Sequence, residues 1–334
     1  MPARSVRSVL PTVIRFVLLA LVIGFAFAYL ARQWGAVSTA VARLSPVALA
    51  GSMLFLVLGL VAATVAWVAL LNGLGSHVPP LRAAQISLVG ALGKYLPGSL
   101  WAYLMQMELG RAHGVSRSRV LITTLYAAGV GVVASLLLGG LALPTILAGR
   151  TELLWLFVLL PIGLIGLHPT VMTWLASTVL RIAKRPPLEE AISLRTVLVA
   201  MAWTLLAYAF YGAHLWLLAR ALVPADLPLL LLLTGSIALG FSASLFAFFL
   251  PSGVGVREAL LIGAMSLVMS EAEGSAVSLV SRVFFTIGDL GIAGAAAIAA
   301  VAARRVVDRA ATGDSEAPQQ IAGAPGTTGY GEDS

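Results

Sequence analysis

Six ionisable side chains stand inside stretches that are otherwise apolar: Lys94, Glu108, Arg257, Glu258, Arg282 and Asp289. A charge placed in hydrocarbon costs about 2.5–3.5 kcal/mol on insertion scales and persists where it is paired, wetted or used. Three of the six are cationic and three anionic, so complete mutual pairing is open to them. The plain alternative to a functional site is therefore a network of salt bridges between helices. Arginine forks match phosphate oxygens in shape and charge. Lys94, Arg257 and Arg282 together suit a phosphate-bearing group, with Glu258 and Asp289 holding the cations in place or carrying protons. Arg282 and Asp289 are seven positions apart. Two helical turns put them on one face but leave a direct bond unassured.

Each end of this set lies beside a break. Lys94 and Tyr95 precede Leu96-Pro97-Gly98, and Leu250-Pro251-Ser252-Gly253 leads through Gly255 to Arg257 and Glu258. Proline removes a backbone donor, and glycine permits a sharp turn. Half-helices starting after Pro97-Gly98 and after Gly253-Val254-Gly255 would turn backbone N–H groups toward an anion. At membrane depth, broken backbone is tolerated only when buried in protein or lining a wet cavity. The competing reading is a pair of kinks that serve packing alone.

The elements that must position these residues are membrane helices. The 334-residue chain is 60% hydrophobic and 10% charged, against about 25% charged in soluble domains. Apolar runs lie at about 46–71, 84–107, 120–143, 152–168, 196–219, 228–250, 256–270 and 276–303, several near the roughly 20 residues a spanning helix needs. A further run follows Arg4, Arg7 and Arg15. Ala26-Phe27-Ala28 there has the form of a signal-peptide cleavage site, but the many later spans favour a retained first helix. Residues 169–195 read as an amphipathic helix lying in the interface, closed by Pro186-Pro187. The sequence predicts an all-α polytopic bundle over residues 1–310 and a disordered cytoplasmic tail over 311–334. No cysteine is present, so thiolate and disulfide chemistry are excluded. The net charge of +7 reads as loop charge on a membrane protein rather than a nucleic-acid surface.

Basic residues then orient the spans. One set of loops, with the N-terminal flank, holds fourteen Lys and Arg; the opposite loops hold four, namely Arg32, Arg43, Arg150 and Arg220. The positive-inside rule places the first set, and both termini, in the cytoplasm. Arg82 and Arg111 then share one side, so the 84–107 segment must return by the face it entered. About 24 residues are too few for two full spans at 1.5 Å each. A re-entrant hairpin of two half-helices follows. The same logic gives a second in-and-back segment around Pro251, approached from the opposite face. Two broken segments in corresponding places point to a transport site between inverted repeats.

Other residues offer less. His77, His113, His168 and His214 have no metal-ligand spacing, and His214 reads as a hydrogen-bonded packing residue. Trp101 and Tyr103 suit an interfacial aromatic belt. Gly288, Gly291 and Gly294 suit close helix contact. Neither a nucleotide-binding motif nor a catalytic triad or zinc-protease motif is present, so no cofactor, metal or catalytic role is expected.

At the breaks the sequence becomes familiar. "GKYLPGSLW", "GVSRSR", "LPSGVGVREAL" and "SRVFFTIGDL" together resemble the lysylphosphatidylglycerol synthase/flippase transmembrane family over roughly residues 10–303. The resemblance implies an all-helical membrane domain that moves a lipid between leaflets. In full-length members a soluble domain makes the aminoacylated lipid. Nothing foldable follows residue 310, so that reaction is not implied here. Many members also carry an acidic–basic pair in the span at 120–143, where this chain has no charge, which weakens an aminoacyl-lipid cargo. The resemblance leads to an expected cargo of an anionic phospholipid or a polyprenyl-phosphate-linked glycan. The expected binding residues are Lys94, Tyr95, Pro97, Gly98, Gly253, Gly255, Arg257, Glu258, Arg282 and Asp289. A secondary transporter of a small solute, a non-transporting partner of a cell-envelope glycosyltransferase and an intramembrane lipid-modifying enzyme are the rival readings.

Overall fold

The computed structural model describes residues 34–35, 38–39, 41–95, 100–146, 158–182, 184, 191–247 and 255–313. From residue 46 onward these form α1 (Pro46–Gly73), α2 (Pro80–Ala91), a 3-10 turn (Leu92–Tyr95), α3 (Leu100–Ala112), α4 (Arg117–Ile146), α5 (Leu159–Gly166), α6 (Pro169–Ile182), α7 (Leu194–Ala219), α8 (Leu227–Phe246), α9 (Val256–Met265) and α10 (Glu271–Gly313). No strand occurs among the described residues. The expected first helix, the breaks at Pro97-Gly98 and Pro251-Ser252-Gly253, and the tail beyond Gly313 lie outside them.

Among the described residues, five helices are long and apolar enough to cross a bilayer: α1, α4, α7, α8 and α10. The chain is a multi-pass membrane protein. Their starts are written locally. Ser45 accepts from the Ala48 N–H before α1, Ser193 from Thr196 before α7, and Asp226 from Leu229 before α8. Each cap satisfies a donor that the first helical turn leaves open. Prolines 46 and 228 occupy first-turn positions, where no N–H is missed.

α1 lies along α7 and α4 along α8, the two most extensive helix pairs. The shared core holds Leu56, Leu215, Leu218, Leu233, Ile237 and Leu261, all fully buried. Lipid tails are as apolar as leucine, so these contacts contribute close packing rather than escape from water. A polar node adds hydrogen bonds between helices. His214 of α7, fully buried, meets Ser52 of α1 through Nδ1 at 2.7 Å and Ser281 of α10 through Nε2 at 3.0 Å. The Ser52 hydroxyl donates in turn to the His214 carbonyl at 3.0 Å. That pattern suits an imidazole protonated at Nδ1 and accepting from Ser281 at Nε2. His214 is thus the hydrogen-bonded packing residue that the sequence suggests.

α5 and α6 meet at a bend of 79°, at the place where the sequence reads a turn into the interface. α6 buries Met172, Ala176 and Leu180 along one stripe and turns Trp174, Leu175 and Ile182 outward. Two ends of the bundle can be told apart by charge. Arg43 pairs with Glu273 at 3.7 Å at one end. At the other, Glu108 of α3 binds Arg111 at 2.5 Å and Arg117 at 2.6 Å.

Candidate functional site

α2, the 3-10 turn and α3 form a hairpin whose arms touch. A Cβ on Gly93 would lie 2.6 Å from the Ala102 nitrogen, so only glycine lets the 3-10 turn approach α3 this closely. Gln106 of α3 donates to the Ser87 carbonyl at 3.2 Å and accepts from Thr124 of α4 at 2.8 Å, fixing the hairpin to the bundle. α8 and α9 make the second folded-back pair. Its arms are unequal, 20 and 10 residues. Gly255 opens α9 with φ of 90°, a conformation that side chains with a Cβ rarely adopt.

Both hairpins deliver their charged residues to α10. Lys94 Nζ lies 2.5 Å from Asp289 Oδ2, and the Tyr95 hydroxyl donates to the same oxygen at 2.6 Å. Arg282 Nη1 donates to Glu258 Oε1 at 3.1 Å. Glu258 Oε2 also accepts the Gly255 N–H at 2.8 Å. That backbone donor, expected to face a ligand, is occupied by the carboxylate three residues on. Counted along α10 at 1.5 Å per residue, Arg282 sits roughly 17 Å from Glu271 and Asp289 roughly 20 Å from Ala302. Both pairs are therefore far from the ends of the candidate span Glu271–Ala302.

Arg257 stands apart. It is 4% exposed, and its Nε and Nη2 have no hydrogen-bond partner among the described residues. The nearest carboxylate oxygen, on Glu258, is 3.8 Å from Nε. Its Cζ lies 4.5 Å from the Phe285 ring centroid and 5.1 Å from that of Phe241. Desolvated cation–π contacts of this kind contribute about 2 kcal/mol or more. Tyr211 continues the aromatic wall, 5.0 Å from Phe285 and 5.4 Å from Phe241. Gly240 of α8 leaves space for the arginine stem, since a Cβ there would sit 3.0 Å from Arg257 Cγ.

The structure thus brings Lys94, Tyr95, Gly255, Arg257, Glu258, Arg282 and Asp289 around the middle of α10. Pro97, Gly98 and Gly253 lie outside the described residues. Glu108 does not join this group, and its half-exposed carboxylate is bound by Arg111 and Arg117. Hydrogen bonds from those two arginines hold its carboxyl at about 2. The three-against-three pairing open to the sequence is therefore not realised at mid-depth, where three cations meet two carboxylates. The aromatic wall was not foreseen. Tyr211, Phe241 and Phe285 come from three helices, and no local spacing links them. Trp101 is partly exposed and lines a groove of about 650 Å³ with Glu108, Arg117 and Leu180.

The family described as lysylphosphatidylglycerol synthase TM region matches residues 13–292. No curated protein matches the chain.

Proposed function

Because the chain belongs to the lysylphosphatidylglycerol synthase transmembrane-region family, we propose that it is a flippase-like protein that carries a phosphate-bearing lipid headgroup between leaflets. The cargo class is an anionic phospholipid or a polyprenyl-phosphate-linked lipid. The observation that carries this reading is convergence. Two folded-back segments, far apart in sequence, each tie a charged residue to the middle of α10: Lys94 to Asp289, and Glu258 to Arg282. Paired broken segments near the midplane are how many transporters build a site. An ion pair at each tip can open when that tip moves, exposing the site to alternate sides while the acyl chains stay in the bilayer.

The protein acts in this reading without catalysing a reaction, in the plasma membrane, with both termini in the cytoplasm. Lys94, Tyr95, Arg257 and Arg282 face the headgroup; Glu258 and Asp289 hold the cations at rest. Pro97, Gly98, Gly253 and Gly255 supply the breaks.

The test is mass spectrometry of lipids retained through gentle purification, comparing the wild type with Lys94→Ala and Arg257→Ala. One lipid class enriched above the bulk membrane, and lost in both variants, is the expected result. Bulk lipid composition in all three samples would overturn the site. Movement of a fluorescent analogue of the enriched lipid in sealed vesicles then checks transport itself.

A further inference from the structure

We infer that the Arg257 locus accepts one negative charge, that of a phosphodiester, and selects against doubly charged phosphates and zwitterionic headgroups. This rests on the headgroup-carrying reading above and narrows its cargo. At mid-depth Lys94, Arg257 and Arg282 face Glu258 and Asp289, three cations against two carboxylates. The stretches across the two breaks, 96–99 and 248–254, contain no ionisable residue, so they do not alter that balance. Glu108, the third carboxylate among the six ionisable residues of the apolar stretches, is bound to Arg111 and Arg117 at the bundle's end. The cluster carries one uncompensated positive charge.

Geometry places that charge on Arg257. Asp289 is taken by Lys94 and Tyr95, and Glu258 by Arg282 and the Gly255 N–H. Arg257 is 96% buried, since only 4% of it is exposed, and two of its guanidinium nitrogens lack an acceptor among the described residues. Phe241 and Phe285 cover the guanidinium from their rings, but a ring offers no acceptor to in-plane N–H groups. Buried donors in native proteins nearly always have partners, and an exception points to a group that binds there. Two adjacent N–H donors on one planar fork match two oxygens of a phosphate.

The same balance sets selectivity. One phosphodiester brings the cluster to neutrality. A phosphomonoester or diphosphate would leave its second charge unpaired in a low-dielectric site, which is strongly unfavourable. A zwitterionic headgroup brings an ammonium, and both carboxylates are already engaged. The rule therefore favours phosphatidylglycerol-like lipids and monophosphodiester-linked polyprenyl lipids over diphosphate-linked ones.

The experiment is competitive binding to the full chain in detergent, read by native mass spectrometry, with equal phosphatidylglycerol, phosphatidylcholine and phosphatidate. At about pH 8.5 a phosphomonoester carries close to two charges. Phosphatidylglycerol should be retained about tenfold or more over the other two, a difference well inside what one buried charge supplies. Arg257→Gln should abolish the preference. Glu258→Gln keeps an acceptor for the Gly255 N–H and raises the balance by one positive charge, so retention should move toward phosphatidate. Equal retention of the three lipids by the wild type, or an unchanged order in Glu258→Gln, would overturn the proposal, whatever the folding of Arg257→Gln. Glycerophosphoglycerol, the headgroup without tails, separates sources: displacement of lipid supports the rule with a soluble phosphodiester, and failure to displace supports it with a lipid one. Charge preference without lipid movement in vesicles would sink the transport reading and leave this one. Movement without preference would do the reverse.

Discussion

The Tyr95 hydroxyl donates to Asp289 Oδ2 at 2.6 Å, joining residues 194 positions apart. Lys94 shares that oxygen, so one carboxylate of α10 holds two consecutive residues of the first hairpin. Asp289 is nearly buried, whereas the Lys94 side chain is 31% exposed and can reach toward water on its long stem. Removing the two partners is therefore unequal. Lys94→Ala leaves a buried carboxylate with a single donor, while Asp289→Asn leaves Lys94 free to turn outward and Tyr95 still bonded to the amide oxygen.

A double-substitution cycle tests the pair. Lys94→Ala should lower thermal stability in detergent more than Asp289→Asn does. The combined variant should fall short of the sum by about 0.5–3 kcal/mol, the range for side chains in direct contact. Additive losses would show that the two residues do not act together.

His214 makes a different prediction, about folding rather than function. His214→Ala strands the Ser281 hydroxyl and leaves Ser52 only its bond to the residue-214 carbonyl, in a fully buried place where three helices meet. Each stranded group costs about 1–3 kcal/mol. Ser281→Ala, which strands only Nε2, should be the milder change. The midpoint of unfolding by heat in detergent should fall in the order wild type, Ser281→Ala, His214→Ala. A silent His214→Ala would mean the node is not formed.

Much of this architecture was legible in the sequence. Apolar runs of spanning length define helices through short-range chemistry alone, and the structure adds their caps at Ser45, Ser193 and Asp226. The turn of direction at Pro169 was readable for the same reason, whereas the breaks expected at Pro97-Gly98 and Pro251-Ser252-Gly253 lie outside the described residues. What decides the site is long-range. Nothing near Arg282 says that its partner is Glu258, and nothing near Asp289 says that its partners are Lys94 and Tyr95. Glu108 stands in an equally apolar stretch, yet its place at the end of the 84–107 segment reads as the membrane interface, and the structure puts it half exposed at the bundle's end. Its position beside Arg111 and Arg117 depends on how α3 meets α4. Tyr211, Phe241 and Phe285 are ordinary span residues until three helices place them around one arginine.

Glycine spacing gave a mixed outcome, and the structure says which positions matter. A Cβ on Gly288 would lie 3.2 Å from Leu60 Cδ1, but Gly291 and Gly294 would meet nothing within 4 Å. Of the expected close-contact row, only Gly288 is in contact. Gly212 is tighter still, with a Cβ there falling 2.8 Å from the Thr234 Cα. Backbone cannot swing aside as a side chain can. Gly212→Ala should therefore cost about 1–3 kcal/mol through overpacking between α7 and α8. Gly291→Ala should be neutral or slightly stabilising, because alanine favours helix by about 1 kcal/mol over glycine. Parallel thermal melts of the two variants check the contrast, and equal losses would refute the helix contact.

Glu108 supplies a test by pH. Hydrogen bonds from Arg111 and Arg117 lower its carboxyl from 4.5 to about 2 in the folded protein. A depressed carboxylate contributes stability that is present above its unfolded value and lost as pH falls through its folded value. The stability difference between wild type and Glu108→Gln should thus be steady near neutrality, shrink below pH 4.5 and vanish near pH 2. Because Glu108 and both arginines are at least half exposed, salt should screen the difference at neutral pH as well. Melting curves of the two proteins across this pH range, at low and high salt, read both effects. A gap that widened on acidification would mean that Glu108 is not paired in the folded state.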